Sequence, residues 1–148
     1  MNVRKVLVVA GAAAAVLVGT TASPASAVTN YREYASIAGS SPPSGSSCSQ
    51  VSYGGGLAGV ACYQALGDVF WIRDTAADGH HVEARGVMEG VGRGFSCYSY
   101  RGSDVGWEKC TGFADLIPEH DTINLFRSEL YEGDTLLAGG LVLSVQTT

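Results

Sequence analysis

Two short stretches carry the residues able to do chemistry. The first, GDVFWIRDTAADGHHVEARG (67–86), sets Asp74, Asp78 and Glu83 around the adjacent pair His80–His81. The second is the run Glu119-His120-Asp121. Acids beside imidazoles suggest calcium binding, transition-metal ligation or general acid–base catalysis. Calcium in an EF-hand loop needs oxygen ligands at positions one, three and five, Gly at six and Glu at twelve. Counted from Asp74, Asp78 and Gly79 fit, but Ala76 and Arg85 occupy ligand positions. For a transition metal, His80 and His81 are neighbours on a predicted strand, so alternation sends them to opposite faces. His81 and Glu83 share a face, with Asp74 and Asp78 as further candidate ligands. A credible site needs three or four ligands, so no metal site is expected.

A His–acid pair such as His120 with Glu119 or Asp121 can run acid–base chemistry. The chain nevertheless lacks both a G-x-S-x-G elbow and an H-E-x-x-H helix. A non-enzymatic protein is therefore expected, with no cofactor. A small hydrolase using His120 is kept as an alternative. For binding, the candidates are Tyr98, Tyr100 and Trp107, aromatics on or beside strands, with Arg101 in the polar loop RGSDVG (101–106). Such aromatics stack on sugars or anchor a protein partner.

The elements that must position these residues read as strands. CSQVSY (48–53) and LAGVAC (57–62) flank three glycines, and a hairpin symmetrical about them sets Tyr53 opposite Leu57 and Cys48 opposite Cys62. SCYSY (96–100) and WEKCT (107–111) flank RGSDVG in the same way. That hairpin would set Cys97 opposite Cys110, Tyr98 opposite Lys109 and Tyr100 opposite Trp107. Disulfides Cys48–Cys62 and Cys97–Cys110 are therefore favoured among the three possible pairings. VFWI (69–72) is apolar on both faces, as a central strand is. HHVEARGV (80–87) alternates, with Val82 and Ala84 on one face and His81, Glu83 and Arg85 on the other. Those two strands read as a hairpin turning at Asp74–Gly79. TINLFRSEL (122–130) and TLLAGGLVLSV (135–145) complete the set. In the last of these, Leu137, Leu141, Leu143 and Val145 share a face, and Gly139-Gly140 marks a bulge. FADLIPEH (113–120) has room for one helical turn before Pro118. The expected fold is all-β, a small antiparallel sandwich or barrel of about 6–8 strands clipped by two disulfides.

The N-terminus reads as a secretory signal peptide over 1–27. Arg4 and Lys5 precede an apolar run, Val6 to Val18, and Ala25-Ser26-Ala27 forms the cleavage site. That run is shorter than the roughly 20 residues of a transmembrane helix. Residues 28–47, ending in AGSSPPSGSS, read as a flexible Ser/Gly/Pro-rich segment, and 48–148 as a single domain. The whole chain has 9 basic and 14 acidic residues, a net charge of −5. Loss of Arg4 and Lys5 leaves seven bases against the same fourteen acids, or −7. An acidic chain without a basic patch argues against nucleic acid, whose phosphates dominate affinity, and against anionic membranes.

GVACYQALGDVFWIRDTAADG (59–79), with the signal peptide and the later cysteine pair 97–110, resembles small secreted proteins of actinobacteria. The resemblance implies export and a small β domain, and it brings no catalytic residues. YSYRG after Cys97 lacks the bond-presenting motif of the bacterial subtilisin-inhibitor family. Trp71-Ile72-Arg73 lacks the Trp-Arg-Tyr of tendamistat-type amylase inhibitors. The expectation is a secreted β domain that binds an extracellular or cell-envelope ligand. The first alternative is an inhibitor of a secreted protease or amylase, with Arg101 as its anchor.

Overall fold

The computed structural model describes residues 28–148; the expected signal peptide lies outside them. Strand accounts for 56% and helix for 5%, which makes the protein all-β. One sheet runs β1(Thr29–Tyr34), β7(Arg93–Ser99), β6(His81–Met88), β9(Thr122–Glu132) and β10(Thr135–Gly139), with β11(Leu143–Gln146) also paired to β9. The other runs β2(Ser36–Ile37), β8(Glu108–Cys110), β5(Val69–Asp74), β4(Gly56–Gln64) and β3(Ser47–Tyr53). We refer to them as the first and second sheets.

Their inner faces meet in an aromatic core. The Phe70 ring of β5 lies 5.1 Å from Phe113, 5.5 Å from Phe126 and 5.6 Å from Tyr63, each pair edge-on. Edge-to-face packing suits ring quadrupoles better than a face-to-face sandwich. Ile72 and Ala61 from the second sheet and Val82, Ala84 and Leu130 from the first complete the core, all essentially buried. Gly86 lets β6 pack closely on this core: a Cβ there would lie 3.0 Å from Ile123 and 3.1 Å from Phe70, so those side chains would have to shift to admit it. Among the described residues no helix is long and apolar enough to cross a membrane.

Both expected disulfides are present. Cys48 faces Cys62 in the β3–β4 hairpin as the sequence indicates. Nearer the turn the register differs: Tyr53 faces Gly56 and Ser52 faces Leu57, with a bulge between Val51 and Ser52. Gly54 and Gly55 both take positive φ (61° and 88°), the geometry of a two-residue turn that follows strand twist. The residue left over is absorbed by the bulge.

Three further expectations are corrected. Cys97 and Cys110 do not clip a hairpin; β7 and β8 belong to different sheets, and the bond staples the sandwich with a Cα–Cα distance of 5.9 Å. Lys109 therefore faces Trp71 rather than Tyr98, its Nζ 5.4 Å from that ring. Nor is 69–87 a hairpin, for β5 and β6 also lie in opposite sheets. Each has an apolar face, and burying both faces against a common core outweighs pairing them side by side. Lastly, the described residues form eleven strands, and the sheets begin before Cys48. β1 pairs parallel with β7, β2 pairs with β8, and Ala35 between them is buried. Alternation in TNYREYA, with Tyr31 stacked inward on Phe95, explains why this segment folds while the Ser/Pro run after it remains outside the sheets.

Gly139-Gly140 does interrupt the last strand, dividing it into β10 and β11. A Cβ on Gly140 would lie 2.3 Å from Gln50 O, so only glycine allows this approach of the two sheets. Leu141, in the break, is exposed and leaves the face it was expected to share. Residues 113–120 form turns, and the only helical segments described are short 3-10 turns at Glu89–Val91 and Ser103–Val105.

Candidate ligand-binding groove

The outer face of the first sheet is laid out in rows. Strand register sets Tyr34 beside Tyr98, Tyr98 beside Glu83, and Glu83 beside Glu129, across β1, β7, β6 and β9. Alternation keeps residues two apart on one face, so the next row is Arg32, Ser96, Arg85 and Arg127. On the other side of the acidic row, His81 pairs with Tyr131. The His81 ring is sandwiched, 4.4 Å from Tyr100 and 5.6 Å from Tyr131. Tyr34 packs 5.9 Å from Tyr98 and 5.7 Å from Tyr100. Four tyrosines thus wall a cavity of about 470 Å³ whose floor holds Glu83 and Arg85. Binding cavities commonly span roughly 300–1,000 Å³. A neighbouring cavity of about 430 Å³ shares Arg85 and Tyr131 and is lined on its far side by Val87, Leu125, Leu136 and Val142.

The two carboxylates differ in their surroundings. Glu129 is buried and fully engaged: Arg127 Nε donates to Oε1 at 2.7 Å and the Tyr131 hydroxyl donates to Oε2 at 2.6 Å. Glu83 is 5% exposed and has only the His81 ring, with Nε2 3.2 Å from its Oε1. Burial, and then the facing Glu129, push its pKa up from 4.5 to about 7. Burial also lowers the His81 pKa, so the imidazole stays neutral at neutral pH. Burial and then Glu83 raise the Tyr98 phenol.

Tyr98 is 6% exposed, and its buried hydroxyl has no hydrogen-bond partner. The Ser96 side chain lies near enough to lower the Tyr98 pKa as a hydrogen-bonding group, but the pair falls short of full hydrogen-bond geometry. Buried hydroxyls are nearly always paired, so an orphan in a cavity wall is a place for a ligand atom.

The structure gathers four of the sequence candidates, Tyr98, Tyr100, His81 and Glu83, on this face. Asp74 on β5 is buried, its carboxylate accepting from Ala76 N at 3.0 Å, and it lines a separate cavity of about 460 Å³ with His81, Tyr100 and Arg101. Asp78 closes the following turn by accepting from His80 N at 3.0 Å. Among the described residues no three His, Cys, Asp or Glu side chains are placed to hold a metal ion. Arg101 is tied down: its Nη1 donates to the fully buried Glu108 at 2.6 Å and also to Ala35 O. Trp107 lines a separate shallow hollow with Gly39 and Val105. His120 and Glu119 are exposed in a turn, while Asp121 accepts from Thr122 N at the start of β9.

Sequence reasoning missed Tyr34, Arg32, Glu129, Arg127 and Tyr131. For the β9 residues a signal was present: Leu125, Arg127, Glu129 and Tyr131 alternate with Phe126, Ser128 and Leu130. No protein-family model matches the chain, and neither a curated protein nor a solved structure shows a significant match.

Proposed function

We propose that this is an exported, non-enzymatic binding domain whose groove on the first sheet takes a carbohydrate of the cell envelope or its surroundings. The observation that carries this reading is the tyrosine-walled cavity with the orphan Tyr98 hydroxyl in its wall. Aromatic faces pack on sugar rings, while carboxylates accept from sugar hydroxyls and guanidiniums donate to sugar oxygens. The groove offers all three within one cavity. The two disulfides suit an extracellular protein.

The facing carboxylates Glu83 and Glu129 favour a second reading, acid–base hydrolysis of a glycoside, which uses such a pair. Against it, both Glu129 oxygens are already bound by Arg127 and Tyr131.

Replacing Tyr98 with Phe separates binding from folding. Removing an unpaired buried hydroxyl should leave stability unchanged or raise it by about 1 kcal/mol. Affinity for the glycan selected from an array should fall about tenfold. Unchanged affinity, or no binding to any arrayed glycan by the parent protein, would overturn the reading.

A further inference from the structure

The basic row is unevenly neutralised. Arg127 is held by Glu129 at 2.5 and 2.7 Å. Arg85 comes no nearer than 4.0 Å to that carboxylate, and Arg32 makes no ion pair among the described residues. Arg32 and Arg85 flank Ser96 from the two neighbouring strands. Two strand spacings put their Cα atoms roughly 10 Å apart, within convergence distance for two guanidiniums on one anion. Both guanidiniums line the tyrosine-walled cavity. The Arg32 guanidinium lies 5.4 Å from the Tyr98 ring centre, so this cationic pair adjoins the aromatic wall and the orphan phenol.

We infer that the groove selects an anionic glycan, its negative group seated between Arg32 and Arg85 and its sugar ring against the exposed rings of Tyr34 and Tyr100. The inference rests on the carbohydrate reading and adds charge selectivity to it. A neutral sugar would leave Arg32 without an ion-pair partner and Arg85 with only its 4.0 Å contact to Glu129, and a cationic ligand would meet both guanidiniums head-on. The protein as a whole is acidic, so attraction comes from these two side chains at contact range and not from long-range steering. A uronate and a sugar phosphodiester both present one negative charge beside a ring, and either supplies the chemistry.

Calorimetric titration of the disulfide-bonded protein decides this with three ligands of equal length: an oligogalacturonate, its methyl ester, and a sugar phosphodiester oligomer. The expected result is that at least one anionic ligand binds about tenfold or more tightly than the neutral ester, and the tighter anion identifies the source. Arg85→Gln and Arg32→Gln should each reduce that preference towards unity. If the ester binds as well as both anions, charge selection is overturned while the carbohydrate reading stands. If none of the three binds, both are overturned. The ligand comparison uses the unaltered protein and so does not depend on how the variants fold.

Discussion

Replacing Arg101 with Ala is expected to destabilise the protein by about 3 kcal/mol, measured by urea denaturation. Glu108 sits on β8 inside the sandwich and is fully buried. Its carboxylate is satisfied by the Arg101 guanidinium at 2.6 Å and by the Ser99 hydroxyl. Removal of Arg101 leaves a buried charge with one neutral donor. Breaking a buried pair typically costs about 3–5 kcal/mol. The low end applies because the Arg101 side chain is 47% exposed and water can enter where it stood. The same guanidinium holds Ala35 O, tying the crossing between β1 and β2 to the 101–106 loop. Adding Glu108→Gln to Arg101→Ala should recover part of the loss, since the uncompensated charge is then gone. A change within about 0.5 kcal/mol, typical of a surface residue, would return Arg101 to the role of a free anchor, as an inhibitor loop requires.

Glu83 should make the protein less stable as pH rises, the reverse of an ordinary ion-paired carboxylate. Its folded pKa is raised from 4.5 to about 7 by burial and then by Glu129. An acid whose folded pKa lies above its unfolded value holds a proton that the unfolded chain has released. Its contribution is therefore complete below about pH 4.5 and is lost as pH climbs to about 7, after which the difference is constant. Arg85 and Arg32 oppose the rise, and Asp134 in the β9–β10 turn reinforces it. Burial lowers the pKa of His81 beside Glu83, and the facing phenols of Tyr98, Tyr100 and Tyr131 stay protonated because their pKa values are raised.

Glu83→Gln keeps the shape and removes the titration. Relative to the parent, this variant should be nearly equal near pH 4.5 and more stable by about 2 kcal/mol at pH 8. That figure is discounted from the full linkage value for the water in the open groove. A parent and variant with parallel stability curves from pH 4.5 to 8 would show that Glu83 titrates normally. The same proton bears on the ligand: protonation removes a negative charge beside Arg32 and Arg85, so anion binding should also weaken as pH rises through 7.

Much of the architecture was legible because it is local. Alternation in HHVEARGV set His81, Glu83 and Arg85 on one face of β6, where the structure has them. Cys48 and Cys62 lie 14 positions apart in sequence, and glycines at the turn bring them into register. Partner choice between distant strands was not legible. A loop of given length closes a hairpin and crosses a sandwich equally well, so RGSDVG and DTAADG gave no sign that each passes from one sheet to the other. Parallel pairing of β1 with β7 has no turn to announce it, and TNYREY reads as a polar tail until Tyr31 meets Phe95.

The groove was half legible for the same reason. Tyr98, Tyr100, His81 and Glu83 were candidates on their own merits, but for unrelated roles, binding for two and metal ligation for two. Only the order β1-β7-β6-β9 sets them in one wall and brings Arg32 and Glu129 to either side. The metal candidates Asp74 and Asp78 were near His81 in sequence, and the structure instead spends their carboxylates on the turn that follows β5.

The central claim is that the outer face of the first sheet is the binding surface. Two-dimensional amide NMR of the labelled protein during titration with oligogalacturonate tests it directly. The account predicts the largest shifts at Arg32, Glu83, Arg85 and Tyr98, one contiguous patch across β1, β7 and β6. Shifts confined to Trp107 and the 101–106 loop, or to the outer face of the second sheet, would contradict it.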